Sequence, residues 1–589
     1  MNLRFRKKKH GFTLIETLIA LSIFIFISSA IYFSYSNVLE TFAKAKLRLT
    51  AASILENEIE MIHNVPYPDV GVQGGAPNGN LLAEKTVYSG DTPFIVKTQV
   101  KNIDNPFDGT IASIPKDIIP ADYKLVEVEI SCNCVGLNPL KLTTTIAPKN
   151  LEKATKNGSL FINVFNASGE PISGANVSII NNSVIPAINI NDVTNASGSL
   201  NFVDIATSSA GFHITVAKNG YSSDQTYPLN QILNPNPTKP DATVKEQELT
   251  KISFAIDLVS SINFKTQDQT CKAVPGIDFK IIGSKLIGTN PDVYKYSTDS
   301  QTDANGQKIF SNMEWDAYSF NNLSSNFEIS GTIPNMPLDL IPASDLTMIW
   351  MMEPKNANSF LMTIFDEDDV LINDASVRVV GQGIDQTKMT ARRNLGQSDW
   401  SNNQYTSKTS DIETDNPLGQ LTLTNVGGKY ATSSQELIST TFDMGTVNTT
   451  FYSLSWNPIS QPSQAGIDSL KFQIAANNDN TTWNFVGPNG NGNTYYTAIN
   501  TQLHSGHNSK RYLRYKVFMQ TANDQFTPKL EDITIGFNSS CVPNGQVFFS
   551  GLPGGLYDVT VTKSGFNTTD DSISIESSWQ EYEEMLYLP

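Results

Sequence analysis

Residues 12–36 read FTLIETLIALSIFIFISSAIYFSYS, and nothing else in the 589-residue chain limits its folding so strongly. Thirteen Leu, Ile or Phe residues fall between Phe12 and Phe33. At ~−0.3 to −0.6 kcal/mol each they favour membrane insertion by on the order of −4 to −8 kcal/mol. Glu16 is the one charge in the run, and near the end of the span it costs less than at the centre. As a helix, Phe12 to Tyr35 is about 36 Å long, enough to cross a ~30 Å hydrocarbon core. Ahead of it, MNLRFRKKKHG carries Arg4, Arg6, Lys7, Lys8 and Lys9 and no acid. That basic flank predicts residues 1–11 on the cytoplasmic side and everything after residue 36 outside. A secretory signal has a shorter apolar region with its small-residue cleavage site behind it, whereas here the Gly11-Phe12 step precedes the run.

The helix is expected to continue past the membrane. Val38, Phe42, Ala45, Leu49, Ala52, Leu55, Ile59 and Ile62 recur at three- and four-residue steps, an amphipathic stripe suited to packing on a globular head. Asn64-Val65-Pro66-Tyr67-Pro68 ends it, because neither proline donates to the helical ladder.

Gly11, then Phe12-Thr13-Leu14-Ile15-Glu16, then the apolar helix, resembles the N-terminus of a type IV prepilin or pseudopilin. The resemblance implies a prepilin peptidase that cleaves after Gly11 and N-methylates Phe12. It also implies that Glu16 pairs with the new N-terminal amine of a neighbouring subunit, setting register during assembly. A carboxylate in an apolar bundle is expensive unless paired, which gives that pairing its physical sense. The helix-kinking proline common in the family is absent, with Phe33 near its place.

Beyond the helix the chain reads as short strands and turns. Aromatics at 10%, 37 Gly and 29 Pro argue against disorder and for turn-rich β structure. Lys+Arg of 41 against Asp+Glu of 58 gives a net charge of −17, which does not suit nucleic-acid binding. Segments 93–100, 124–130 and 140–146 alternate apolar and polar residues as half-buried strands do.

An internal repeat follows. Its first copy holds Leu160–Phe165, the turn Asn166-Ala167-Ser168-Gly169, a second turn Asn195-Ala196-Ser197-Gly198, and a closing Gly211–Tyr221. The second runs from Ile262 through Asp303-Ala304-Asn305-Gly306 to Phe320, and the third starts at Phe360 and finishes in Pro543–Phe566. Val177 to Gly198 is 21 residues, but Val377 to Gly545 is 168, so the third copy carries a domain-sized insertion. Loop-closure cost grows only logarithmically with length, so a strand pair tolerates this. The copies resemble the carboxypeptidase-regulatory-like β-sandwich, a non-catalytic module. The insertion resembles a discoidin or galactose-binding-like jelly roll. That family often binds glycans through loops at one end, which makes Trp483, Tyr495 and Tyr496 candidate sugar-stacking rings; the competing reading is core or turn packing.

The expected fold is mainly β: a long N-terminal membrane-spanning α-helix followed by tandem β-sandwich domains. The expected divisions are a leader (1–11), the pilin helix (12–64), a pilin-like β head (65–150), sandwich one (151–258) and sandwich two (259–357). Sandwich three is split (358–425 and 541–589) around the jelly roll (426–540). Chemistry is sparse. No His-Glu-x-x-His, Gly-x-Ser-x-Gly or P-loop occurs, so the chain is expected not to be an enzyme and to need no metal or cofactor. His504 and His507 read as a surface loop, and Asp366-Glu367-Asp368-Asp369 as a solvated turn rather than a Ca²⁺ site. Cys132 and Cys134 read as a disulfide or free thiols, while pairing of Cys271 and Cys541 stays open.

The expected function is a low-copy pilin or pseudopilin-like surface protein, anchored in the cytoplasmic membrane and presenting a large extracytoplasmic head for adhesion. Its expected partners are prepilin peptidase, other pilin subunits, the membrane and surface glycans, with no nucleic acid. The alternatives are a pseudopilin of a secretion or DNA-uptake machine, and a single-pass surface protein that never assembles.

Overall fold

A computed structural model describes residues 13–134, 137–149, 155–576 and 578–589. Residues up to 258 together with 286–293 form one compact unit, and 259–285 with 294–589 form a second.

The first unit opens with helix α1, Leu14–His63, 50 residues and so about 75 Å long. It starts where Thr13 and Glu16 cap each other and ends at Asn64, just ahead of Pro66. Among the described residues it is the one helix long and apolar enough to cross a membrane. Its apolar part is bare: Leu14, Phe24, Phe26, Ile31 and Phe33 are all exposed.

A four-stranded antiparallel sheet, in the order Glu84–Ser89, Thr92–Ile103, Tyr123–Ser131, Leu140–Ile146, covers the other end of α1. Phe94, Val96, Val100, Val126, Val128 and Ile130 face Ala51, Leu55 and Ile62 of the helix. The expected stripe needs correction. Leu55 and Ile62 are buried, but Val38, Phe42 and Leu49 are exposed. The strands are too short to reach back along so long a helix. The covered face also admits a charge: Glu58 is 6% exposed and its carboxylate pairs with Lys85 Nζ at 2.7 Å.

The first sandwich follows. One sheet orders Leu249–Ala255, Gly158–Phe165 and Ser199–Ile205; the other is built on Asp224–Gln225, Ser208–Ala217, Asn176–Asn181 and Ile188–Val193. Alternation along these strands sends Leu160, Ile162, Val164, Phe212, Ile214 and Val216 inward. The opening strand pairs in parallel with the closing one, Ser159 opposite Leu249, and antiparallel with the strand after the second Asn-x-x-Gly turn.

The second unit repeats this plan twice. Ser260–Gln267 pairs in parallel with Asp345–Pro354, and Asn358–Asp366 with Trp579–Leu586. Each opening strand again pairs antiparallel with a strand after a turn, Gln307–Met313 and Gln546–Leu552. A buried threonine recurs as well. Thr194 Oγ1 donates to the Ile172 carbonyl (2.6 Å) and accepts the Ala175 amide (2.9 Å). Thr390 does the same with Ile372 (2.7 Å) and Ala375 (2.9 Å), and Thr302 accepts the Ile277 amide (2.9 Å). The turns work through their first residue: Asp303 Oδ1 accepts the amides of Asn305 (2.8 Å) and Gln307 (2.9 Å), closing on Gly306 at φ 66°.

Pieces on either side of the insertion share one core, with Phe360, Val377 and Val379 packed against Val547, Phe549 and Tyr557. The inserted sandwich has its own. One sheet orders Arg393–Gln397, Asp532–Ser539, Thr449–Asn457 and Thr501–Gln502; the other joins Tyr405–Lys408, Gln435–Ser439, Tyr512–Met519 and Phe442–Asp443, with Leu470–Asn477 on Tyr512–Met519. Its boundary differs from the expected 426. Strands Arg393–Gln397 and Tyr405–Lys408 pair with inserted strands, and Leu395 and Trp400 are buried in the inserted core. Cys132 is bonded to Cys134 and Cys271 to Cys541, with Cα separations of 5.2 and 5.5 Å.

Candidate functional site

Two regions hold the residues singled out by the sequence: the start of α1, and one face of the inserted sandwich.

At the start of α1 the sequence FTLIE places a threonine at the N-cap and a glutamate three residues on, so each satisfies the other's backbone. Glu16 Oε2 accepts the Thr13 amide at 2.8 Å and the Thr13 hydroxyl at 2.9 Å, and the Glu16 amide donates to Thr13 Oγ1 at 3.4 Å. The carboxylate therefore folds back toward the N-terminal end of its own helix, where free N–H groups and the helix dipole favour negative charge. Gly11 and Phe12 lie outside the described residues.

In the insertion the three aromatic candidates part company. Tyr496 is fully buried in the inserted core, its backbone pairs with Phe472 on both sides, and its hydroxyl accepts the His504 amide at 3.0 Å. It offers no ring to a sugar. Neighbours in extended chain point to opposite faces, so burying Tyr496 turns Tyr495 outward. Tyr495 is half-buried, with the Lys471 ammonium 4.2 Å from its ring centroid and Phe518 edge-on at 5.1 Å. Trp483 is half-buried with the Arg514 guanidinium 4.2 Å from its ring. Between them Phe485 has the Lys516 ammonium at 5.1 Å. Strand Tyr512–Met519 explains the row. Leu513, Tyr515, Val517 and Met519 enter the core, so Arg514, Lys516 and Phe518 face outward. The segment after Asn477 lies on that face, held where Gln473 Nε2 donates to the carbonyls of Gly492 (2.8 Å) and Thr494 (3.0 Å). The cations went unnoticed in the sequence, although their alternation was visible there.

The remaining polar candidates are structural. Asp366 Oδ1 accepts the amides of Asp368 (3.0 Å) and Val370 (2.9 Å), so the acidic run is a turn. His507, expected on the surface, is 4% exposed in the 3₁₀ turn Ser505–His507, and burial pushes its pKa down to about 4. Among the described residues no group of three His, Cys, Asp or Glu is placed to hold a metal ion.

Residues 6–32 match the family described as prokaryotic N-terminal methylation motif. No curated protein matches the chain. Among solved structures, the Bacillus anthracis TIE protein is 11% identical with a TM-score of 0.16, over 86% of this chain and 73% of its own. The shaft pilin SpaA from Lactobacillus rhamnosus GG is 12% identical with a TM-score of 0.13, over 34% of this chain and 98% of its own. GBS52, the minor pilin of Streptococcus agalactiae, is 12% identical with a TM-score of 0.17, over 33% and 96%. Scores this low do not establish a shared architecture. The methylation motif and the apolar helix make the N-terminal segment pilin-like, and with it the chain a membrane-anchored protein of mainly β structure.

Proposed function

We propose that the protein is a low-copy pilin-like subunit that assembles through α1 into a type IV pilus-like filament and presents its β domains for adhesion. The observation that carries the reading is the bare apolar part of α1, most of which lies within the matched methylation motif. In water such a surface is unfavourable; in a membrane, and then among other such helices, it is covered. Prepilin peptidase removes residues 1–11 and methylates Phe12. Glu16, folded back to the helix start, stands where the amine of a neighbouring subunit can neutralise it. The role is structural and not catalytic. More than five hundred residues follow α1. A head of that bulk on one ~10 Å helix is hard to repeat along a close-packed bundle, which favours low copy number.

N-terminal mass analysis of the mature protein tests the processing step. Cells with prepilin peptidase should yield a chain beginning at N-methyl-Phe12, and cells without it a chain that keeps residues 1–11. An unprocessed start in both would leave a plain single-pass anchor. Glu16→Leu tests assembly: it should be processed and inserted normally but fall at least tenfold in sheared filaments. Equal entry of the variant would remove the role given to that carboxylate. Filaments absent altogether, with secreted proteins recovered on the head, would favour the secretion-machine alternative.

A further inference from the structure

The chain's charge of −17 is not spread evenly. Residues 470–519 hold Lys471, Lys510, Arg511, Arg514 and Lys516 against Asp479 alone, a local excess of four positive charges. This is the stretch that lays Trp483, Phe485 and Tyr495 on the outer face of the inserted sheet, each with a cation against its ring. The acids that meet it are few. Asp443 takes Arg511 through two bonds (2.7 and 3.0 Å), Glu436 takes Lys516 at 3.3 Å, and Asp479 is engaged by the amides of Thr481 and Thr482 at 2.9 Å each. Arg514 has only the Thr441 hydroxyl (2.8 Å) and the Trp483 ring, and Lys471 only the Tyr495 ring, among the described residues.

We infer that this face binds an acidic polysaccharide, with Trp483 and Tyr495 as platforms for pyranose rings and Arg514 and Lys471 as anchors for their carboxylate or sulfate groups. The inference rests on the adhesion reading and names its ligand class. A pyranose is apolar on its C–H face and suits a partly exposed aromatic ring. Arg514 offers a planar fork that matches a carboxylate or sulfate and is already positioned by its ring contact and by Thr441. Because the domains beyond α1 are otherwise acidic, a polyanion is repelled by the rest of the head and guided to this face. A neutral glycan would leave both cations without counter-charge and has no reason to prefer the site.

The test uses the chain from Phe12 onward in detergent micelles, so that the basic residues 1–11 are absent, titrated with polygalacturonate, heparin, neutral dextran and single-stranded DNA at two salt concentrations. Binding is expected to polygalacturonate or heparin, weakening with salt, and not to dextran. Lys471→Gln with Arg514→Gln should weaken it at least tenfold, while Arg514→Lys alone, which keeps the charge but loses the fork, should give a smaller loss. A Lys265→Gln with Lys280→Gln control in the second sandwich should change nothing. Equal binding of dextran, binding that survives the double glutamine variant, or binding of DNA in place of either acidic glycan would overturn the assignment. Surface labelling of cells carrying the double variant separates the two readings. Loss of glycan binding with filaments intact locates the fault at the face. Intact binding by a protein that never enters filaments would sink the pilus reading and leave the ligand standing.

Discussion

A histidine buried without a partner must stay neutral for the fold to keep it, and His507 is such a residue. Its Nε2 is buried without a partner, and its pKa sits near 4 through burial, with His504 adding a smaller push the same way. The folded state therefore prefers the uncharged ring. Its contribution is whole above the unfolded pKa of about 6.5 and is lost as pH falls from there toward 4, by up to ~1.4 kcal/mol per unit or about 3 kcal/mol in all. Thermal unfolding at pH 7 and at pH 4.5 should show a steep loss in the natural chain and a shallower one in His507→Gln; parallel loss in both would place the acid sensitivity elsewhere. The same residue shows what a linear reading misses. Gly and Ser around His504 and His507 signal a loop correctly, but burial of one ring depends on what packs over it, and no local pattern reports that. Tyr495 and Tyr496 make the converse case. The pair signals a ring-rich segment, yet only strand alternation, known once Tyr496 is seen bonded to Phe472, decides which ring faces out.

At the scale of elements, the long apolar helix and the alternating strands were legible because each carries its period in the sequence: 3.6 residues in α1, two in the strands. The covered face of α1 was not, because the stripe ran on through Val38, Phe42 and Leu49 where no strand reaches, and because Glu58 stands at a covered position a hydrophobic pattern excludes. Glu58 is tolerated through Lys85, and the pair makes a prediction of unequal halves. Lys85→Ala strands a buried carboxylate and should destabilise the head by about 1–3 kcal/mol, since the lysine is itself partly wet. Glu58→Leu, which removes the charge and keeps the volume apolar, should be near neutral or stabilising. Chemical denaturation of the two variants decides it; equal losses would mean the pair contributes through attraction and not through covering a burial cost. The repeated threonine is a second element-scale feature the sequence hid, because Thr194, Thr302 and Thr390 look like ordinary strand-edge residues until their carbonyl and amide partners are seen. Thr390→Val should cost about 1–3 kcal/mol by orphaning the buried Ala375 amide.

At the scale of the whole molecule, the covalent path differs from the order of the domains. The insertion ends at strand Asp532–Ser539, and two residues later Cys541 is bonded to Cys271, just past the opening strand of the second sandwich. The two cysteines are 270 residues apart, so the bridge closes a loop holding most of the second sandwich, half of the third and the entire insertion. Four cysteines in a long chain do not say which pairs form, which is why this link could not be read before the fold. Drawn between its helix and its far end, the chain would pass tension across that bond and spare the insertion, which lies wholly inside the loop. Pulling the full chain by its two termini makes this measurable. Under oxidising conditions the residues inside the loop cannot add to the extension, however far their domains unfold. Reduction, or Cys271→Ser with Cys541→Ser, should lengthen the fully extended chain by about 900 Å, at ~3.3–3.6 Å per released residue. It should also lower equilibrium stability by about 2–5 kcal/mol. Equal extension with and without reductant would show that the loop is not closed, and tension would then run through every sandwich in turn.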